Sequence, residues 1–166
     1  MKLNKAQAEL TRPANTTAYA ASDCIANSTT QASVTPMVFG SLANTRAGTG
    51  YITKARLWVE GATVSAVFRL HLFINTPVMY ADNEPYELLY TSLSNHIGFI
   101  DFVVSTTSGV GSTATLYEVA DIRLAIESKD ISGSNPVLGL LTAQTGFTPT
   151  SAQKFTVQLS CDAYEY

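Results

Sequence analysis

Lys154-Phe155-Thr156-Val157-Gln158-Leu159-Ser160-Cys161-Asp162-Ala163-Tyr164 is the stretch whose reading decides the fold class. Phe155, Val157, Leu159, Cys161 and Ala163 alternate without a break with Thr156, Gln158, Ser160, Asp162 and Tyr164. Successive side chains of a strand point to opposite faces, so a period of two assigns one set to a core and the other to solvent. The same period recurs upstream. Tyr51, Thr53, Ala55, Leu57 and Val59 oppose Ile52, Lys54, Arg56, Trp58 and Glu60, and Phe68, Leu70, Leu72 and Ile74 oppose Arg69, His71 and Phe73. Turn residues punctuate the runs at the spacing of sandwiches, predicting strands over 34–42, 51–60, 63–74, 86–91, 97–106, 113–127, 137–142 and 154–164. Within 113–127 the apolar set changes parity, from Tyr117 and Val119 to Ile122, Leu124 and Ile126, as a bulged or bent strand requires.

No βαβ spacing, long amphipathic helix or repeat is visible, which removes parallel α/β folds, solenoids and propellers. The expected architecture is all-β: an antiparallel eight-stranded jelly-roll sandwich with an extended N-terminal arm, another Greek-key sandwich being second choice. The arm is read as 1–33, rich in Ala, Asn, Ser and Thr and broken by Pro13, and the sandwich as 34–166. Met1 to Leu10 is long enough for a short helix, which would be marginal without packing.

Composition agrees. The 166 residues are 46% hydrophobic and only 14% charged, and Ser and Thr make up roughly a fifth, a balance that suits pleated surfaces better than exposed helices. A net charge of -3 supplies no basic field for a phosphate backbone, so nucleic acid is not an expected partner. Met1 to Glu9 carries no apolar run behind its charges, so neither a signal peptide nor a membrane partner is expected. The expected site of synthesis is the cytoplasm. Cys24 and Cys161 have no metal-ligand spacing, and Cys161 reads as a buried free thiol.

Catalysis needs titratable groups converging in a pocket, and little is on offer. His71 reads as a solvated or interface residue on the polar face of its strand, and His96 as a loop residue after Asn95. The two share no spacing that sets metal geometry. Asp82-Asn83-Glu84 lacks the alternating ligands of a calcium loop and reads as a solvated turn before Pro85. Gly48-Thr49-Gly50 is not followed by a Lys-Ser or Lys-Thr pair and reads as loop punctuation. The expectation is no enzyme, no cofactor and no metal. The informative residues are aromatics assigned outward. Trp58 among Lys54, Arg56 and Glu60, and Tyr164 and Tyr166 at the C-terminus, have the character of interface residues. The candidate interface set is Arg12, Pro13, Tyr19, Arg56, Trp58, Tyr164 and Tyr166. The alternative is that the arm folds back over the outward aromatics within the same subunit.

Arg12-Pro13-Ala14-Asn15-Thr16-Thr17-Ala18-Tyr19-Ala20-Ala21-Ser22-Asp23-Cys24 resembles a segment near the N-terminus of many small tailed-bacteriophage proteins, of the form Arg-Pro-Ala-x-Thr-Thr-Ala-Tyr-x-Ala-Gly-Asp-Val. The motif covers about a tenth of the chain. Ser22 stands where that pattern has Gly, leaving open whether the position takes a positive φ, and Cys24 replaces Val, a mild hydrophobic exchange. The resemblance implies a virion component of head type: a capsid decoration, or cement, protein on the outer surface of the shell, made in the host cytoplasm. Its implied partner is the major capsid protein. An arm adding strand-like pairing and a body adding area suit contacts to several shell subunits, with a homotrimer multiplying the affinity of each contact. A receptor- or carbohydrate-binding sandwich of a head or tail fibre is the alternative, with Trp58, Tyr164 or Tyr166 stacking on sugar rings.

Overall fold

The structure, a computed structural model, describes residues 2–40, 42, 49–61, 64–103, 105–106, 113–127 and 136–163. Its strands are β1 (Lys2–Thr11), β2 (Cys24–Ile25), β3 (Met37–Phe39), β4 (Thr49–Glu60), β5 (Phe68–Phe73), β6 (His96–Phe102), β7 (Ser105–Thr106), β8 (Ala114–Val119), β9 (Leu124–Glu127), β10 (Val137–Ala143) and β11 (Lys154–Ala163). Two short 3-10 turns, Gln31–Ser33 and Tyr90–Asn95, are the helical elements among the described residues.

Two antiparallel sheets result. One runs β1-β11-β4-β8-β7 with β9 also on β4, and the other β2-β10-β5-β6 with β3 also on β10. β8 and β9 occupy the same edge of β4, one beside Ala55–Glu60 and the other beside Thr49–Ile52. They are one bent strand interrupted near Asp121, which has φ 58. β2 and β3 likewise share the edge of β10 opposite β5. Counting each such pair once and leaving the two-residue β7 aside, the sheets read first-eighth-third-sixth and second-seventh-fourth-fifth. That is the strand order of a jelly roll.

The expected register of 154–163 holds, with Phe155, Val157, Leu159, Cys161 and Ala163 buried. The first four of these side chains share one core with Phe39, Phe68, Leu70, Leu72, Phe102 and Leu141 from the facing sheet. Each fully buried Leu or Phe contributes about 1.5–3 kcal/mol relative to an exposed one. Phe68 sits at the centre, with the rings of Tyr117, Phe147 and Phe155 5.4–5.8 Å away and nearly edge-on. A second cluster, of Cys24, Ala26, Val34, Phe73, Leu138 and Leu140, lies under Met79, Tyr80 and Tyr86, from the chain between β5 and β6. β10 is therefore buried on both faces along its whole length.

Three expectations need correction. Lys2–Thr11 is neither a helix nor an arm outside the body. It is the first strand of the roll, paired residue for residue with β11. Its inward residues Asn4, Ala6 and Leu10 are buried, and Asn4 Nδ2 donates to Leu42 O at 3.1 Å. Residues 86–91 are not a strand; they lead from the covering loop into the Tyr90–Asn95 turn. The faces of β4 switch partway. Ser160 pairs with Lys54 but Cys161 with Ile52, so Thr53 is an extra residue in a bulge. Ile52 consequently joins Ala55, Leu57 and Val59 in the core.

Candidate functional site

Leaving β1, the chain must cross from the first sheet to the second, and the segment from Arg12 to Asp23 makes that crossing. Arg12 and Asp82 form an ion pair at 2.9 Å, both side chains fully buried. Arg12 Nε donates to the Tyr19 hydroxyl at 2.8 Å, and that hydroxyl donates to Asp82 Oδ1 at 2.5 Å. Ala26 N–H donates to the same carboxylate oxygen at 3.1 Å, and Arg12 Nη2 also donates to Asn15 Oδ1 at 2.9 Å. Burial, then the neighbouring Asp82, pushes the Tyr19 phenol far above its ordinary range, so it serves as a donor and not as an acid. Tyr19 also stacks on Phe147 at 5.0 Å. Asp23 Oδ2 accepts from Ala20 N at 2.6 Å, and Ser22 holds φ 73 while its N–H bonds Ala143 O at 2.7 Å. Ser22 thus takes a positive-φ turn although it carries a side chain.

This arrangement corrects two expectations. Arg12 and Tyr19, taken as docking residues, are turned inward at 2% and 3% exposure because they satisfy a buried carboxylate. Asp82, taken as part of a solvated turn, is that carboxylate; only Glu84 of the trio is exposed. Pro13 is half-buried, its carbonyl accepting from Asn15 N at 2.8 Å. Arg56 and Trp58 do lie on the outer face of the first sheet, half-buried. There Glu118 accepts from Arg56 at 2.6 Å and pairs with Lys54 at 2.7 Å. Lys54 and Arg56 together hold the Glu118 carboxyl below its ordinary range. Trp58 lies across from Thr156 on one side and Leu116 on the other. Tyr164 and Tyr166 lie outside the described residues, as does Gly48. Cys24 and Cys161 are buried free thiols, Cys24 pushed up to about 12 by burial and then by Asp82.

The exposed apolar surface lies elsewhere. Of the nine large hydrophobic side chains exposed among the described residues, six fall between 88 and 103: Leu88, Leu89, Tyr90, Leu93, Phe99 and Val103, with Tyr90 89% exposed. They belong to the Tyr90–Asn95 turn, its approach, β6, which is the edge strand of the second sheet, and the residue just after it. Surface apolar groups gathered in this way mark contact sites more often than scattered ones do. The signal in the sequence is the unalternating run Leu88-Leu89-Tyr90, within the strand expected over 86–91.

Beside this face opens a cavity of about 310 Å³, lined by Arg69, His71, Tyr86, His96, Phe99 and Gln144 among others. Arg69 is held by Asp101 through two bonds of 2.6 and 2.9 Å and lies over the Phe99 ring at 3.9 Å. His71 is not a solvated residue of a polar face but 6% exposed, beneath Tyr86 at 4.5 Å, because the covering loop closes that face of β5. Burial, then His96 and Arg69, lowers its imidazole to about 4. No group of three or more metal-capable side chains occurs among the described residues. None of the described helices is long and apolar enough to cross a membrane.

Strand order, two antiparallel sheets and a shared core define an antiparallel jelly-roll protein. No family model and no curated protein matches the chain. Among solved structures it is similar to a semi-empty virus-like particle of the giant freshwater prawn Macrobrachium rosenbergii nodavirus. That match has 13% identity and a TM-score of 0.32, and covers 99% of this chain and 94% of the other. A marine algae virus of the order Picornavirales is similar at 16% identity and a TM-score of 0.27, over 95% of this chain and 67% of the other. Likeness at this level concerns the class of fold and assigns no function.

Proposed function

We propose that the chain is a non-enzymatic structural protein of a tailed-phage virion, a decoration protein that seats on the outside of the shell against the major capsid protein as a homotrimer. The observation that carries this reading is the part played by the phage-like string. Arg12, Asn15, Tyr19 and Asp23 are engaged in fixing the crossing between the two sheets, so the string is one that this fold needs. A motif under that constraint is a better marker of shared ancestry than an exposed one of equal length.

The apolar face from Leu88 to Val103 supplies the seat, with Tyr90 as its most exposed anchor. The test mixes purified protein with expanded phage shells that lack it. Saturable co-sedimentation, weakened by Tyr90→Ala and Leu93→Ser, is the expected result, with solution mass at three times that of the chain. Failure to bind by sedimentation and by cryo-EM would overturn the reading; binding to a glycan array in its place would favour the fibre alternative.

A further inference from the structure

His71 on β5 and His96 at the start of β6 are 25 residues apart in sequence, yet their ring centres lie 5.7 Å apart with planes inclined at 42°. The irregularity between Leu72 and Phe73 sets His96 opposite Phe73, one turn of the pleat from His71. His71 Nδ1 and His96 Nε2 are both shut off from solvent and neither has a hydrogen-bond partner. Buried imidazole nitrogens are almost always paired, and an orphan pair in one cavity calls for a ligand that both can serve. An ion about 2.0–2.1 Å from one nitrogen of each ring lies about 3 Å from each ring centre, so two rings on one tetrahedral ion have centres about 5–6 Å apart. The observed separation falls in that interval.

The surroundings tolerate a cation. Arg69 is the fixed positive charge beside His71, and its two bonds to the Asp101 carboxylate offset that charge in part. The Gln144 amide nitrogen is turned to Thr142 Oγ1 at 2.9 Å. Tyr86 and Phe99 pack on the His71 ring and Phe73 on the His96 ring.

We propose that His71 and His96 form a two-imidazole site for a divalent transition ion of the zinc or copper class. Imidazole donors favour these ions over magnesium or calcium. The ion ties the inner strand β5 to the start of the edge strand β6.

The test titrates Cu²⁺ alone into the metal-free full chain at neutral pH and records the electron paramagnetic resonance spectrum. In parallel, the melting temperature is followed with Zn²⁺ alone. One ion per chain is expected, with hyperfine structure from two nitrogens and a rise in melting temperature that a chelator reverses. His96→Gln, at a half-buried position that the fold tolerates, is expected to weaken binding by at least about tenfold and to leave one coupled nitrogen. His71→Gln is expected to do the same, its fold checked by circular dichroism. No saturable binding of either ion would overturn the proposal. Binding of unchanged strength in both variants would also overturn it, because the ion would then sit elsewhere.

Discussion

Asp82→Ala removes the one anion in the buried clamp. Arg12, fully buried, is left as an uncompensated cation, and the Tyr19 hydroxyl and the Ala26 N–H lose their acceptor. Breaking a buried pair by deleting one partner costs about 3–5 kcal/mol. At about 0.05–0.15 kcal/mol per residue the whole fold has only about 8–25 kcal/mol to lose. With about 2–4 °C per kcal/mol for a chain of this size, the melting temperature should drop by about 6–20 °C. Urea unfolding followed by the fluorescence of Trp58, the single tryptophan, and by far-ultraviolet circular dichroism measures the loss. A double variant, Arg12→Met with Asp82→Leu, removes both charges and should recover at least half of what Asp82→Ala loses. A loss under about 1 kcal/mol for Asp82→Ala, or a double variant as unstable as the sum of the two single ones, would refute the assignment of Asp82 as the centre of the clamp.

Three further outcomes are expected. Ser22→Gly should raise stability by about 0.5–1 kcal/mol in the same urea assay, because Ser22 holds φ 73, which L-residues enter at a cost and glycine does not; a loss would show that the serine side chain has a role. Gly139→Ala should cost about 1–3 kcal/mol, since a Cβ there meets Phe39 Cε2 at 2.8 Å and Leu70 Cδ1 at 3.0 Å in the strand buried on both faces; a neutral result means that those side chains have room to move. Stability should fall with pH through His71. The unfolded chain takes up the proton near pH 6.5 and the folded one only near 4, so stability is complete above 6.5 and declines toward 4, by on the order of 3 kcal/mol. The difference between wild type and His71→Phe, measured at a series of pH values, isolates it; parallel profiles would rule it out.

Alternation was legible where one face of a strand is fully apolar and the other polar, as in 154–163; in the 68–73 run it marked Phe68, Leu70 and Leu72 as inward but not the burial of His71 and Phe73 on the other face. It failed where the contrast is small. The inward set of β1 is Asn4, Ala6, Ala8 and Leu10 and the outward set Leu3, Lys5, Gln7 and Glu9, a composition with better helix propensity than strand propensity. Pairing along all of β11 overrides it, since β preference reflects the neighbours a strand meets more than its own residues. At Thr53 the bulge was invisible because Tyr51 and Thr53 suit either face of a pleat. Leu88 to Tyr90 misled in the other direction, being apolar for a surface and not for a sheet.

The clamp was the least legible feature, and its location accounts for that. Arg12 and Asp82 are 70 residues apart, and nothing local marks either as buried. Arg12 follows the last residue of β1, in the first sheet, while Asp82 belongs to the loop that covers the outer side of the second. Between them Arg12 N–H bonds Gln153 O, just before β11, and Tyr19 N–H bonds Phe147 O, just after β10. One short segment therefore ties the edge of one sheet, the connection between β10 and β11, and the cover of the other sheet at a single end of the roll. A β-sandwich whose sheets are joined only by side-chain packing can shear; a buried, fully bonded charge pair across one end opposes that motion, because any displacement exposes an unpaired charge to a low-dielectric interior. In a protein proposed to sit on a pressurised shell, resistance to shear between the sheets is the mechanical property that the body must supply.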